Sequence, residues 1–425
     1  MAAFLPYALI IAVIVSFALG TVFNFNVGLL CIVTGFIALV VCGGTGAEII
    51  SVLSTSTIAL MVGIMFMFTI ANKNGTIEKL CNKMLRTVHG KSFLMPFAFA
   101  IVGAIVCATG AGGMATCALM CSPAAGMSKK IKVDPLLMST TTMHGTFMGQ
   151  FSPVSAMAIP VLTYLQEAGI DGLEFKIMGW NLALEFVAVV VAFIIFGGLK
   201  LVKSKDSITI DLGEIDDSFN VQNWISLACI VLLLVAIIFT ELNLGILALT
   251  LGFIMLLVGR KHGLDDGSII KAMPWNSIVM IVGAMALMTL MADSGGTELI
   301  VGAIQSLNLG TFGLLILFLV AGLMSFYATS IPVVLAILPL AIQLCNVLGT
   351  DGIIPGVVVA ICIVATIVDV SPMSNNGGMM LSSAAALIDD STAVSKMFKK
   401  LFYYGLTQIV LWSVICWLLF VVIGL

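Results

Sequence analysis

The chain has 425 residues, of which 61% are hydrophobic and 9% charged, with a formal net charge of −3 and a mean hydropathy of +1.21. A soluble domain of this length does not have such a composition, and the lack of any basic block argues against a nucleic-acid partner. Apolar runs long enough to cross the hydrocarbon core as helices recur from end to end, and their continuity excludes an alternating β-barrel pattern.

In chain order, spanning helices are expected over 4–22, 27–43 and 57–71. The first lacks a basic leader and reads as a span rather than a cleaved signal. A re-entrant hairpin is expected at 94–127, with arms 94–108 and 113–127 around the tip "ATGAGG". A span over 135–167 follows, interrupted at "SPVS" (152–155), and then one over 177–202. The polar stretch 203–223 reads as a linker. Further spans are expected over 224–240, 245–260 and 276–292, and a second hairpin at 310–347, with arms 310–327 and 331–347 around "YATSIP". The last two spans are 354–388, interrupted at "SPMSNNGG", and 400–424. Each hairpin arm is about 15 residues, short for a crossing; two full crossings per hairpin is the alternative. Trp180, Trp224 and Trp275 fall at span ends and read as interface anchors. The ten cysteines are scattered through apolar runs and read as small core hydrophobes.

With the N-terminus outside, 17 of the 18 Lys and Arg residues fall on the inner side and only Lys176 outside. Both termini are then expected outside, with the linker cytoplasmic, in a multi-pass protein of the cell (inner) membrane. The sequence also repeats. "VGIMFMFTIANKNGTIE" (62–78) aligns with "VGAMALMTLMADSGGTE" (282–298) at an offset of 220, "SPVS" with "SPMS" at 219, and "NVGLLCIVTGF" (26–36) with "NLGILALTLGF" (243–253) at 217. Each half, 1–202 and 224–425, holds five spans and one hairpin. Five being odd, the halves insert with opposite orientation. The expected fold class is an all-α polytopic membrane protein of two inverted-topology repeats, with a broken helix in each.

Irregular backbone persists at membrane depth only inside a protein-lined cavity. Pro153 and Pro372 each remove a donor, and each break exposes helix ends with partial charges. Thr109, Gly110, Gly112 and Gly113 form one hairpin tip, and Thr329, Ser330 and Pro332 the other. Inverted symmetry brings both tips and both breaks to one midplane cavity. Helix N-termini there suit an anion, while carbonyls with Ser, Thr and Asn oxygens suit a hard cation such as Na⁺. Candidate substrate residues are Thr109, Gly110, Ser152, Pro153, Ser155, Thr329, Ser330, Ser374, Asn375 and Asn376. Candidate cation ligands are Thr109, Gly112, Ser152, Ser155, Thr329, Asp369, Ser371, Ser374 and Asn375. Asp369 and His144 are candidate proton sites, and Glu185 reads as a hydrogen-bonding scaffold group. Within the expected spans the basic residues Lys200, Arg260 and Lys400 stand only at span ends, so none is available at the midplane to meet an anion. Moving a dianion inward against −100 mV costs ~4.6 kcal/mol, which two co-moving cations cancel.

The segments "NVGLLCIVTGF", "GAEIISVL", "ANKNGTIEKL", "DPLLMSTTTMHGTFMGQFSPVS" and "VDVSPMSNNGG" together resemble the MatC-type malonate/dicarboxylate carriers, in the ion-transporter superfamily alongside the divalent-anion:sodium symporters. The resemblance implies a substrate-and-Na⁺ site at the hairpin tips and broken helices, a homodimer, and elevator-like movement of the hairpin domain. The tips depart from the Ser-Asn-Thr usual in those symporters. The expected function is secondary active import of a small dicarboxylate, malonate or a C4 acid, with Na⁺ as coupling ion and no organic cofactor. The alternatives are a proton-coupled anion carrier, a cation/proton antiporter or arsenite-type extruder on the same fold, an integral-membrane enzyme, or a binding-only sensor. Against the enzyme, no span carries paired carboxylates at helical spacing or a His-Glu-x-x-His motif.

Overall fold

The computed structural model describes the chain except for residues 1–3, 24, 54, 78, 80–82, 84–91, 131–132, 204–217, 240–241, 274 and 386–390. Most of the expected linker 203–223, and the inner-side charges Arg86, Lys91, Lys132 and Lys205, lie outside the described residues. Among the described residues every regular element is helical.

The first half contains α1 (Leu5–Phe23), α2 (Val27–Val41), α3 (Ala47–Ser51) and α4 (Thr55–Lys73). After these come α5 (Met95–Val106), α6 (Gly113–Lys130), α7 (Pro135–Met148), α8 (Ala158–Glu167), α9 (Glu174–Ile195) and α10 (Gly198–Lys203). The second half contains α11 (Val221–Phe239), α12 (Leu244–Arg260), α13 (Asp266–Ala272), α14 (Trp275–Asp293) and α15 (Gly296–Ser306). It continues with α16 (Phe312–Tyr327), α17 (Ser330–Leu348), α18 (Ile354–Val368), α19 (Asn375–Ala385) and α20 (Ser391–Trp417). Punctuation in the sequence sets the boundaries. Asn26 and Asn243, matched in the internal repeat, cap α2 and α12 in the same way, each side chain accepting a backbone N–H three residues on (3.1 Å from Leu29 N, 3.0 Å from Ile246 N).

The short helices α3, α13 and α15 were not anticipated, because five to eleven residues carry too little apolar periodicity to register as spans. The hairpin arms also differ from the expected length, running from 12 residues in α5 to 19 in α17. Among the described residues four helices are long and apolar enough to cross a membrane unaided: Glu174–Ile195, Ser330–Leu348, Asp351–Val368 and Thr392–Val422. A bent pair, Ile278–Asp293 with Gly296–Ser306 at 69°, makes a fifth. Of the remaining apolar helices, α2, α12 and α16 have 15, 17 and 16 residues. At ~1.5 Å per residue these fall short of a ~30 Å core. Among the described residues the ten expected spans are therefore not all met by helix length.

The helices pack as two groups. In one, α1 lies on α2 and α11 on α12, while α2 crosses α14 and α4 crosses α12. The crossings are close because they are built on glycine: a Cβ on Gly283 would overlap the backbone of Gly28, and one on Gly63 that of Gly245. Without water to drive association, such small-residue contacts are what hold membrane helices together. Gly28 and Gly245 are matched repeat positions, as are Gly63 and Gly283, so each crossing joins one half to the other. Val33, Phe36, Ile37 and Val40 of α2, and Leu249, Phe253, Ile254 and Leu257 of α12, are exposed and form an apolar outer surface suited to lipid.

The second group centres on α7 and α18. Residues Leu136–Met148 and Gly356–Val368 are all buried. α5 and α6 flank α7, and α16 and α17 flank α18. The Thr-rich face of α7 is accommodated because its hydroxyls bond back one turn, as Thr140 to Leu136 O (2.5 Å) and Thr141 to Leu137 O (2.7 Å). α9 packs on α7 and α18, and α20 on α16 and α18. Helices 174–195 and 391–417 thus join the hairpins and broken helices, whereas the sequence reading counted them with the surrounding scaffold.

Candidate binding site at two hairpin tips and two helix breaks

Both breaks fold by the same local chemistry. α7 ends at Met148 and α18 at Val368, and nine residues (149–157) and six residues (369–374) of turn follow before α8 and α19 begin. In the first break the Ser155 hydroxyl donates to Gln150 O and accepts from Ala158 N at 3.1 Å. In the second, Ser374 Oγ donates to Asp369 O at 2.7 Å and accepts from Gly377 N at 3.1 Å. Ser152 Oγ accepts from Val154 N (3.4 Å), as Ser371 Oγ does from Met373 N (3.1 Å). The repeated Ser-Pro-x-Ser is thus a turn motif that ties off backbone groups where no helix ladder can.

A hairpin tip rests on each break. Residues 107–111 turn tightly between α5 and α6, with Gly110 at φ 101° and Gly112 at φ 77°. This left-handed backbone favours glycine. A Cβ on Gly110 would sit 3.0 Å from Val154 O, and one on Gly113 3.3 Å from the Gln150 amide, so the tip lies directly on the break. Ser152 Oγ donates to the tip carbonyl of Ala108 at 2.5 Å. In the second half the polarity reverses. The tip Ser330 donates to Asp369 Oδ2 through Oγ (2.5 Å) and backbone N (3.3 Å), and Asn376 Nδ2 donates to the same oxygen at 3.0 Å. Asp369 therefore bonds across to the hairpin.

The two tip-and-break units meet. α6 packs on α19, α7 on α19, and α8 on α17. Met114, at the start of α6, lines a cavity of about 90 Å³ together with Asn26, Met280, Thr329 and Asn375. The N-terminal ends of α6, α17 and α19 border this cavity through Met114, Thr329 and Asn375, and their end N–H groups not already bonded, as Ser330 N is to Asp369 and Gly377 N to Ser374, favour an anion. Three buried acceptor oxygens, Gln150 Oε1, Asp369 Oδ1 and Asn376 Oδ1, have no hydrogen-bond donor within the described structure. Orphaned acceptors of this kind require a donor or a cation, and an all-oxygen set suits a hard one. Among the described residues no group of three or more His, Cys, Asp or Glu side chains is gathered as for a transition metal.

The structure distributes the expected site residues unevenly. Gly110, Gly112, Ser152, Pro153 and Ser155 gather at the first unit; Ser330, Asp369, Ser371, Ser374 and Asn376 gather at the second. Asn375 and Thr329 face the small cavity, the Thr329 hydroxyl also reaching Met280 Sδ at 3.6 Å. Thr109 turns its hydroxyl to its own arm, donating to Val106 O at 2.8 Å. His144 stands apart, bonded to Glu185 and Tyr404. The sequence reading missed Lys73. It closes α4 and lines a second cavity, of about 340 Å³, with Phe68, Thr69, Asn72 and Gly110 of the first tip. Its position at a helix end had marked it only as an inner-side charge.

A family model described as the dicarboxylate carrier protein MatC N-terminus matches residues 5–150. The first break, "SPVS", and the whole second half lie beyond that match. Among solved structures, the YdaH transporter of Alcanivorax borkumensis, whose crystal structure was described as revealing an unusual topology, superposes with a TM-score of 0.60 at 15% identity, over 88% of this chain and 87% of that one. At this identity the likeness is one of fold. No curated protein matches the sequence. The N-terminal third of the chain thus matches a dicarboxylate-carrier family model, and the chain shares the fold of a solved membrane transporter.

Proposed function

We propose that the protein is a Na⁺-coupled secondary transporter that imports a small dicarboxylate such as malonate or a C4 acid. The observation that carries this reading is the docking of each tip on its break around three donorless buried oxygens, beside three helix N-termini. In this reading Asp369, Asn376 and Gln150 face cations, while the N-termini, Thr329, Ser330 and Asn375 hold carboxylates. A cation beside the substrate supplies the charge that no buried Lys or Arg among the described residues provides, and counts for more at low dielectric. The printed description of the family model, a dicarboxylate carrier, favours the substrate class.

The two halves act as inverted repeats, 1–202 and 224–425. The reciprocal glycine crossings and the twin Ser caps favour this. The group built on α7 and α18 moves as one body against the group of α1, α2, α4, α11, α12 and α14, the latter forming the scaffold of a homodimer. The cavity beside Lys73 then opens to the cytoplasm, in line with the expected inner position of that lysine.

A thermal-stability screen of the purified protein tests binding. Malonate or succinate with Na⁺ should raise the midpoint together, as a ligand at a hundred times its Kd contributes ~2.7 kcal/mol. Stabilisation by a carboxylate that is indifferent to Na⁺ would remove the cation from the reading, and no carboxylate effect at all would remove the substrate class.

A further inference from the structure

His144, Glu185 and Tyr404 are joined in the middle of the second helix group, where the tip-and-break units do not reach. His144 Nδ1 lies 2.9 Å from Glu185 Oε2, and its Nε2 lies 2.9 Å from the Tyr404 hydroxyl. His144 and Glu185 are fully buried, and Tyr404 nearly so. Three helices from both halves contribute: α7, α9 and α20. At the 219-residue offset that relates the two Ser-Pro-x-Ser breaks, Glu185 and Tyr404 are matched positions. Equivalent sites of the two repeats thus converge on one imidazole, one as an acid and the other as a phenol.

The chemistry of this cluster allows two protonation states in one arrangement of heavy atoms. With Glu185 ionised, Nδ1–H donates to the carboxylate and Nε2 accepts from the Tyr404 O–H. With one more proton, either the imidazolium donates from both nitrogens, or Glu185 carries the proton and donates it to Nδ1 while Nε2–H donates to the phenol; in both the phenol oxygen becomes the acceptor, because a hydroxyl can turn to serve either role. The first state buries one negative charge and the second is neutral. Glu185 Oε1 has no donor within the described structure. A simple tie between helices needs only one of these states and does not leave a carboxylate oxygen unsatisfied.

Among the described residues the surroundings supply no fixed positive charge. Lys129 of α6, Lys200 of α10, and Lys396, Lys399 and Lys400 of α20 are exposed at helix ends. Lys400 pairs at 3.5 Å with Asp134, the cap of α7. Glu174 and Lys176 lie at the far end of α9, more than two turns from Glu185. Tyr403 and Tyr327 are exposed. Buried thiols line the packed helices at Cys117 and Cys121 of α6, Cys362 of α18 and Cys416 of α20. The charged group whose field reaches Glu185 is Asp369 of the second break, another carboxylate. Asn181, one turn from Glu185 on α9, donates to Phe147 O (2.8 Å) and Met148 O (3.3 Å) at the end of α7. The helix that carries the acid therefore also holds the first break.

We infer that Glu185, His144 and Tyr404 form a proton-binding centre, separate from the cation site, that loads one proton as the anionic substrate binds and gives it up as a cation occupies the Asp369 site. Substrate anion nearby favours the neutral, protonated cluster, and a cation nearby favours the ionised one. Proton binding stands on the cluster geometry alone, while its coupling to substrate rests on the proposed function.

The test uses the full chain in lipid bilayers with His89→Gln and His262→Gln, so that ¹⁵N-histidine reports His144 alone. Between about pH 4 and pH 10, the ring resonances should show one reversible transition, to the imidazolium or from the Nδ1–H to the Nε2–H tautomer. Malonate or succinate should move its midpoint up, and Na⁺ should move it down. Tyr404→Phe, which removes the hydroxyl but keeps the ring, should shift the midpoint, as should Glu185→Gln. A His144 that keeps one protonation and tautomeric state over the range overturns the proposal, and so does a midpoint unchanged in both variants. If malonate and Na⁺ stabilise the protein without moving the midpoint, the coupling is overturned. If neither stabilises it while His144 still titrates, the dicarboxylate reading fails and the proton centre stands.

Discussion

Asp369 and Gln150 occupy matched positions in the two breaks, yet only Asp369 is charged and only Asp369 is gripped by its hairpin tip. In the proposed reading the two cation environments therefore differ, and the acidic one should bind more tightly. Asp369→Asn should lower Na⁺ affinity by at least about tenfold, since it removes a charge-assisted contact worth ~1.5–3 kcal/mol; Na⁺-dependent stabilisation of the variant measures this. Lys73, exposed beside the larger cavity, contributes less. Lys73→Gln should weaken carboxylate affinity measured from the cavity side by no more than about fivefold, with the difference vanishing at high salt. At this scale the sequence revealed what is local. The Ser-Pro-x-Ser turns could be read because each Ser caps its own break within five residues. The bond from Ser330 to Asp369 spans 39 residues, and those from His144 to Glu185 and Tyr404 span 41 and 260. Such pairings depend on helix rotation about the axis, which an apolar string without periodicity does not specify.

Among the elements, the crossings of α2 with α14 and of α4 with α12 have the least room for change. Gly63→Leu would drive a side chain into the Gly245 backbone. Overpacking of this kind costs ~1–3 kcal/mol or more, and the variant should melt several degrees lower with ligand affinity preserved in the fraction that folds. The breaks should respond differently. Ser374→Ala removes the hydroxyl that caps α19 at Gly377, a loss of ~1 kcal/mol, and because that serine lies at the candidate site, ligand-induced stabilisation should fall together with the melting midpoint. Helix type and the position of both breaks were legible in the sequence, because Pro and Ser clusters interrupt long apolar runs. Helices α3, α13 and α15 were not, since each is too short to announce a period. The grouping of α9 and α20 with the hairpins was also hidden, because an all-round apolar helix does not reveal which neighbours it buries against.

Across the whole molecule, the account requires that tips and breaks from both halves build one site and that cation and carboxylate fill it together. The twofold correspondence is visible in paired caps and paired glycine crossings, and the asymmetries are concentrated where ions would bind: Asp369 against Gln150, Tyr404 against Glu185. A symmetric frame that carries unlike charges can hold one ligand set in two conformations while distinguishing its two sides. The most direct measurement is uptake of labelled malonate and succinate into proteoliposomes, with an inward Na⁺ gradient, with equal Na⁺, and without Na⁺, for the native chain and Asp369→Asn. The account predicts concentrative uptake of at least one dicarboxylate that requires the Na⁺ gradient and is lost in the variant. Uptake that is indifferent to Na⁺, or undiminished by Asp369→Asn, would contradict it.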